Sequence, residues 1–317
     1  MDMRYACLGT QIVNEIHFAD GSEKTGIMGG TVFALAGLQQ YCADSVLFAD
    51  RGSDWEQYFG KWFRDNGISE AGLDPIAERQ TFSKLHYRPN GEWKEDMFFG
   101  PADRAAENLH LTEQMLNAVT DETHGIYLYE SVHNDAFWTI VAERLPSSGP
   151  RRMLELITAE CTAENLKPFC EKILPLIDIY SLNRTEAYPF FSVSTEQETV
   201  EQIIKLGKPC YLRCGKRGAY MIMDGRAAFV PSFTVRRPED EIDPTGCGNC
   251  STAAALYGFA EGYGAEEIGA IASLAAAYNV MQYGPNPVFT AQTRADSLAR
   301  ALRESKNYMQ QKGDGLQ

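Results

Sequence analysis

The sequence has 317 residues and is 44% hydrophobic, which is enough to bury one large core without disulfides or structural metals. Lysine and arginine number 29 against 43 acidic residues, giving a net charge of -14, so nonspecific binding to nucleic acid or to an anionic membrane is not expected. No apolar run approaches the roughly 18 residues that suggest a membrane span. The ligand is therefore expected to be a small molecule.

The first part of the chain alternates predicted strands and helices. Residues 5–13, YACLGTQIV, are typical of a buried strand, and the polar segment after them predicts a hairpin turn. A helix follows two glycines, and the strand 45–50 comes next. A second helix then places four aromatic side chains on one face, which we interpret as core rather than as a ligand platform. These residues are Trp55, Phe59, Trp62 and Phe63.

The alternation breaks at residues 79–100, where two strand-forming runs flank Pro89, Asn90 and Gly91. These turn residues predict an inserted hairpin. Alternation then resumes with five strands separated by helical stretches. Their segments are GIYLYES (125–131), RRMLELITAE (151–160), IDIYSLN (177–183), PCYLRCG (209–215) and GAYMIMDG (218–225). The pattern predicts an α/β fold whose doubly wound, mostly parallel sheet is flanked by helices on both faces.

The end of the chain is predicted to be helical, over residues 251–261 and 266–283, with a polar and frayed tail at 306–317. Eight cysteines are scattered through apolar segments, and the first ten residues lack the charged-then-apolar order of a signal peptide. We therefore expect a cytoplasmic protein with reduced thiols.

The stretch DPTGCGNCSTAAALYGFAEG, residues 243–262, carries the strongest chemical signal. Its glycines let the backbone approach a ligand, and the amides of Cys247, Gly248 and Asn249 lie at the positive end of a helix. Such a nest suits a phosphate or a developing negative charge. In isolation, the same residues are explained equally well by a loop whose glycines avoid steric clashes where the chain enters a tightly packed helix.

The order of four motifs along the chain resembles the ribokinase superfamily, the PfkB carbohydrate kinases. The motifs are GG at 29–30, NRTE at 183–186, CGKRG at 214–218 and DPTGCGN at 243–249. The resemblance implies a ribokinase-like α/β domain over residues 1–305, with a small β lid from segments 14–28 and 80–100. It also implies transfer of the terminal phosphoryl group of ATP, with Mg²⁺ and in some cases a monovalent cation, to a hydroxyl of a small sugar, polyol or nucleoside-like substrate.

The same resemblance assigns site residues. Gly246, Cys247 and Gly248 match the anion hole, and Asn249 occupies the position of the catalytic base. The substrate side is assigned Asn14, Gly29 and Gly30. The nucleotide side is assigned Asn183, Glu186, Gly215, Gly218 and Asn279. The resemblance assigns Glu186 to the metal. Asp243 is also a candidate metal ligand, because it lies directly before the loop; supply of the missing base by Asp243, Glu241 or Asp240 is the alternative. The resemblance also implies a homodimer formed through the lid.

The sequence departs from the family pattern on the chemical side. The family has an aspartate where this chain has Asn249, another where it has Asn14, and often an asparagine where it has Ala34. A neutral amide does not accept a proton at physiological pH, and loss of a general base costs about 10²–10⁴ in rate. Two functions therefore stay open: a kinase for an unusual substrate, or a weak or inactive relative that binds a nucleotide or metabolite as a sensor.

Two further features have alternative interpretations. Cys247 and Cys250 form a CxxC at a helix N-terminus, which favours redox chemistry, although both also suit a helix rich in small residues. Lys84 and His86 lie in the inserted hairpin, where they either contact the ligand or face solvent.

Overall fold

The computed structural model describes residues 2–89, 93–100 and 104–313. The strands in these ranges are β1 Tyr5–Leu8, β2 Gln11–His17, β3 Glu23–Gly30, β4 Ser45–Asp50, β5 Leu73–Asp74, β6 Thr81–Tyr87, β7 Trp93–Phe99, β8 Gly125–Leu128, β9 Arg151–Glu155, β10 Ile179–Asn183, β11 Cys210–Arg213, β12 Gly218–Met223 and β13 Arg226–Pro231. The α-helices are α1 Val32–Gln39, α2 Lys61–Asp65, α3 Arg104–Ala118, α4 Asp135–Arg144, α5 Ala163–Pro168, α6 Arg184–Phe191, α7 Glu196–Leu206, α8 Cys247–Ala260, α9 Ala265–Asn279 and α10 Ala291–Gly313. Two π-helical turns, at Glu56–Gly60 and Phe169–Ile173, lead into α2 and follow α5.

The main sheet has nine strands in the order β13-β12-β11-β10-β9-β8-β1-β4-β5. The pairs from β5 to β11 are parallel, and β12 and β13 add an antiparallel edge. Hydrophobic clusters cover both faces: Tyr5 and Cys7 of β1 face one cluster, and Ala6 and Leu8 face the other. Burial on both faces explains why these strands are continuously apolar. The predicted doubly wound arrangement is confirmed.

A second sheet of four strands, in the order β3-β2-β6-β7, contains most of segments 14–28 and 80–100. We call this sheet the lid. Strand β2 pairs antiparallel with β3 and parallel with β6, which pairs antiparallel with β7. Pro89, the first turn residue of the predicted hairpin, follows β6, and Asn90 and Gly91 lie outside the described residues. The four aromatic residues of the second predicted helix are buried, as expected of core residues.

Two predicted boundaries at the end of the chain are wrong. Helix α8 begins at Cys247 rather than Ser251, because Gly246 adopts a left-handed backbone (φ 75°) that ends the preceding loop. Helix α10 continues to Gly313, so residues 306–313 are helical rather than frayed, since their lysine, glutamine and methionine side chains favour helix. Residues 314–317 lie outside the described part. Within the described residues, no helix is long and apolar enough to cross a membrane.

Candidate active site

The loop before α8 lies at the carboxyl edge of the parallel sheet, where ligands bind in open α/β folds. Gly246 takes a backbone conformation that suits glycine, and a Cβ there would lie 2.1 Å from the Phe33 ring. The amide of Cys247 donates to the carbonyl of Pro244 at 3.1 Å, which closes the turn. Among the described residues, the amides of Gly248 and Asn249 donate to no other group. These two amides are therefore the donors that the first turn of α8 offers to an anion.

Asn249 is held by a buried tyrosine. Its Nδ2 donates to the hydroxyl of Tyr127 at 3.2 Å, and that hydroxyl donates to Glu155 Oε2 at 2.7 Å. Burial raises the pKa of Tyr127 well above its ordinary value, so the phenol stays protonated. Because the single hydroxyl proton of Tyr127 goes to Glu155, its oxygen needs a donor at position 249. An asparagine supplies that donor, and an ionised aspartate does not.

The chain of contacts continues to an arginine beneath the loop. Arg213 Nη1 lies 2.8 Å from Glu155 Oε1, and its Nη2 lies 3.5 Å from Glu186 Oε2. The same Nη1 lies 2.2 Å from the position that a Cβ on Gly248 would occupy, so the guanidinium packs directly against the backbone at the start of α8. Burial opposes the charge of Arg213, but attraction to the two carboxylates more than compensates, and its pKa is raised. We call Glu155, Glu186 and Arg213 the interior cluster.

The NRTE motif forms the start of α6. Asn183 Oδ1 accepts from the amide of Glu186 at 2.9 Å, and Glu186 Oε2 accepts from the amide of Asn183 at 2.6 Å, which is a capping box. The other carboxylate oxygen, Glu186 Oε1, accepts from the Thr158 hydroxyl at 2.7 Å. Both oxygens of Glu186 are therefore already hydrogen-bonded, and this fixes the carboxylate beside Arg213.

The CGKRG motif forms a tight turn between β11 and β12. Gly218 has a φ of 130°, and a Cβ there would lie 2.1 Å from the carbonyl oxygen of Val230 on β13. That close approach of two backbones explains Gly218 without a ligand. Gly215, by contrast, has open space where a Cβ would be. A planar ligand group has room beside Gly215.

The glycine pair at 29–30 lies against the lid residue Asn14. A Cβ on Gly29 would lie 2.1 Å from Asn14 Nδ2, so only a glycine allows this approach. Asn14 is buried, and its Oδ1 accepts from the Ser83 hydroxyl at 3.0 Å. The structure thus brings Asn14 and Gly29 together. Ser83, which the sequence did not single out, completes this polar pair.

Asp243 and Asn279 flank the loop from the other side. Asp243 Oδ1 accepts from both the amide and the hydroxyl of Thr245, at 3.0 and 2.6 Å. Asn279 Nδ2 donates to the carbonyl of Thr245 at 3.0 Å. Asp243 Oδ2 and Asn279 Oδ1 are both buried without a hydrogen-bond partner in the described structure. Burial raises the pKa of Asp243. Two unpaired oxygens near one loop are ligands of the type that a hard cation binds.

The lid contacts this loop through one tyrosine. Tyr87 and Thr245 lie 2.7 Å apart, hydroxyl to hydroxyl. Because Thr245 donates its proton to Asp243, the Tyr87 hydroxyl is the donor in this contact. Burial raises the pKa of Tyr87 to about 12, which keeps that donor protonated. The lid and the α8 loop are therefore in direct contact.

The buried surroundings of Cys247 and Cys250 disfavour an activated thiol at the CxxC. Burial raises the pKa of Cys247 to about 12 and that of Cys250 well above its ordinary value. The helix dipole was expected to lower both, but desolvation of the thiolate outweighs it. Cys247 Sγ lies 3.6 Å from the carbonyl of Ala276 and accepts from Asn279 at 3.5 Å, so it packs between α8 and α9. All eight cysteines are free.

Lys84 and His86 lie on the lid face that carries Glu15 and His17. Lys84 Nζ lies 3.1 Å from Glu15, and the His86 ring stacks on His17 with centroids 4.8 Å apart. Tyr87 and Ser83, at alternating positions of β6, contact the site instead. The solvent-facing alternative for Lys84 and His86 therefore holds.

In the described part of the chain, no group of three closely spaced metal-ligand side chains includes Glu186 or Asp243. Among the described residues, one group of three side chains has ligand atoms within 4.8 Å of one another: Glu15, His17 and Glu23 on the lid. These side chains are partly exposed and already paired with one another or with Lys84. This group is separate from the α8 loop.

In the main sheet, the sequence analysis missed three polar residues of the site: Tyr127, Glu155 and Arg213. Each lies near the carboxyl end of a strand that the sequence predicted, β8, β9 and β11. A polar side chain that ends a buried parallel strand is a recognisable signal, because those ends meet at the ligand-binding edge.

The nine-stranded, mostly parallel sheet with a second small sheet is a ribokinase-like α/β fold, and comparison with known proteins agrees. The family model described as pfkB family carbohydrate kinase matches residues 32–291, so the chain belongs to that family. None of the curated proteins matches the sequence.

Solved structures with the same fold are distant in sequence. A nucleoside kinase from Burkholderia thailandensis in complex with ADP-inosine is 16% identical, with a TM-score of 0.72 and 95% of each chain covered. Adenosine kinase from Sinorhizobium meliloti is 17% identical, with a TM-score of 0.71 and 96% of this chain and 100% of that chain covered. Ribokinase from Thermotoga maritima is 16% identical, with a TM-score of 0.67 and 95% and 99% covered. At these identities the similarity shows the fold alone.

Proposed function

We propose that this protein transfers the terminal phosphoryl group of ATP to a hydroxyl of a small sugar, polyol or nucleoside-like substrate. One observation carries the proposal: two unpaired amides, of Gly248 and Asn249, begin α8 directly above a buried arginine and two buried carboxylates. Phosphoryl transfer depends mostly on positioning and on stabilising charge: the two amides would donate to the phosphate, and Arg213 would support the backbone that carries them. Membership of the pfkB family supports the same reaction.

The residues present fit a nucleotide with its cations. The α8 amides would bind phosphate oxygens, and the open space beside Gly215 would admit a planar base. Asp243 Oδ2 and Asn279 Oδ1 would hold a monovalent cation, which would satisfy two orphaned buried oxygens. Glu186 already has both oxygens hydrogen-bonded, so it would act on Mg²⁺ through coordinated water, which that ion retains readily. Bound Mg²⁺ would supply charge stabilisation for the transferred group.

The substrate would lie between the lid and the α8 loop. Asn14 would contact a substrate hydroxyl beside Gly29, and the Tyr87–Thr245 contact would close the site to water. Asn249 has its amino group turned to Tyr127, so its Oδ1 is the atom left to accept a hydrogen bond from the nucleophile. It would orient that hydroxyl without removing its proton, which would leave late in the step, to the transferred phosphoryl group or to solvent, as the bond to phosphorus forms and the bond to ADP breaks.

A second candidate function is a weak or inactive relative that binds a nucleotide or metabolite as a sensor. Its support is Asn249 itself, because the Tyr127 contact builds the amide into the site. The experiment that separates the two is phosphoryl transfer by Asn249→Asp, with Asn249→Ala as control. If the rest of the apparatus is intact, a base at this position raises the rate by about 10²-fold or more. Nucleotide binding with no transfer by any of the three proteins would favour the sensor.

The proposal extends to location and assembly. Eight free thiols support a cytoplasmic location. A homodimer formed through the lid is proposed from the family resemblance. The solvent-facing surface of the lid would carry Glu15, His17, Lys84 and His86.

A further inference from the structure

The interior cluster places an excess of negative charge beside a site that must accept phosphate. Glu155 and Glu186 are both buried, and Arg213 is the cation that contacts both of them. Two carboxylates and one guanidinium leave a net charge of about −1 within a few ångströms of Gly248, by simple addition of formal charges. In a poorly solvated site such a charge repels an anion.

Arg213 is the only member of the interior cluster that touches the anion-hole backbone. Its Nη1 occupies the space beside the Gly248 Cα, 2.2 Å from an added Cβ position, while Glu155 Oε1 is 3.9 Å from the same position. Its Nε is a buried donor without a partner in the described structure, so one hydrogen bond of the guanidinium remains available to an acceptor. The guanidinium therefore lies between the carboxylates and the amides that would bind phosphate.

We propose that Arg213 is a positioning residue of the nucleotide site, which offsets the charge of Glu155 and Glu186 and supports the Gly248 backbone so that α8 accepts a phosphate. This inference rests on the proposed function. It predicts that nucleotide binding follows the net charge of the interior cluster rather than the presence of the arginine as such. The charge is −1 in the wild type, −2 after loss of Arg213, and −1 again when Glu155 is also neutralised.

The test is a calorimetric titration with ADP at several Mg²⁺ concentrations. Arg213→Met is expected to bind ADP about 10–100-fold more weakly than the wild type and to need more Mg²⁺, because the cation then has to offset a second charge. The double variant Glu155→Gln with Arg213→Met is expected to recover to within about tenfold of the wild type. Glu155→Gln alone is expected to bind ADP more tightly than the wild type when Mg²⁺ is absent.

Arg152→Met is the matched control, since Arg152 is a buried arginine paired with Asp178 at 3.2 Å at the opposite end of β9. It is expected to leave ADP binding unchanged. If Arg213→Met does not fold, the other two variants still test the inference in Mg²⁺-free buffer. Glu155→Gln is expected to bind ADP more tightly than the wild type, and the double variant, which has the wild-type charge, is expected to bind it no more tightly than the wild type.

Recovery by the double variant supports the inference. If Arg213→Met binds ADP as tightly as the wild type does, the inference is overturned. It is also overturned if the double variant binds ADP as weakly as Arg213→Met, because the arginine would then act through packing alone. A wild type that binds no ADP overturns the proposed function and this inference together.

Discussion

Two charged clusters in this protein use similar contacts in different surroundings. In the interior cluster, Arg213 and Glu155 are 2.8 Å apart with 13% and 5% of their side chains exposed. On the lid, Lys84 and Glu15 are 3.1 Å apart with 38% and 26% exposed. Solvent screens the lid pair and leaves its two members replaceable, whereas each member of the buried pair is needed to offset the other. Contact distance alone therefore does not indicate which charges shape the site.

The largest expected effect is on stability, and it tests this comparison directly. Arg213→Met strands two carboxylates in the interior and is expected to lower the free energy of unfolding by about 3–5 kcal/mol. Lys84→Met on the lid is expected to lower it by only about 0–1 kcal/mol. Urea unfolding of both variants checks the difference. Equal losses at the two positions would mean that burial does not separate the clusters.

A glycine substitution extends the comparison to the loop above the interior cluster. Gly246 and Gly207 have similar left-handed backbones, φ 75° and 69°, but a Cβ would strike the Phe33 ring at Gly246 and meet nothing within 4 Å at Gly207. Alanine at either position carries the backbone cost of about 1–2 kcal/mol. Gly246→Ala is expected to lose about 1–3 kcal/mol more than Gly207→Ala, because the methyl group overpacks the ring. Thermal unfolding of the two variants measures this difference in stability. Equal losses of stability would show that the loop can move to accommodate the methyl group.

The smallest expected effect concerns two aspartates whose pKa values move in opposite directions. Burial raises the pKa of Asp243, whereas the hydrogen bond from Lys94 lowers that of the exposed Asp96. In buffer without a small monovalent cation, charging the buried Asp243 costs stability as pH rises from about 3.9, the ordinary carboxyl value, through the raised folded pKa. Each unit by which the folded pKa exceeds the unfolded pKa lowers the free energy of unfolding by about 1.4 kcal/mol at pH values above the folded pKa.

Asp243→Asn removes this penalty, so the variant should gain on the wild type as pH rises, while Asp96→Asn should not. Potassium should restore the wild type and leave Asp243→Asn unaffected, because a cation favours the charged carboxylate. Melting temperatures against pH, with potassium or tetramethylammonium, provide the measurement. If the difference in melting temperature between the wild type and Asp243→Asn changes with neither pH nor potassium, a cation site at Asp243 is excluded.

The fold could be predicted from the sequence because the patterns that define it lie within short stretches of the chain. Apolar strands alternating with helices define a parallel sheet, and the glycines of residues 243–249 define a loop that opens a helix. The NRTE motif at 183–186, which forms a capping box in the structure, is likewise a pattern of four consecutive residues.

The interior cluster could not be predicted from the sequence, because the residues that form it are far apart in the chain. Tyr127, Glu155 and Arg213 lie on three separate strands, and only the order β11-β10-β9-β8 brings their carboxyl ends together. The same holds for the faces of the lid: alternation separates Lys84 from Ser83, but only the packed sheet shows that Ser83 faces Asn14. Which residues surround Asn249, and why it is an amide, depends on that assembly.

The proposed function requires that the α8 loop and the interior cluster form a nucleotide site. The decisive measurement is a calorimetric titration of the wild-type protein with ADP and Mg²⁺. We expect saturable binding at a single site, weakened in Arg213→Met and unchanged in Arg152→Met. Absence of binding at millimolar ADP, by a protein that unfolds cooperatively and is therefore intact, would contradict it.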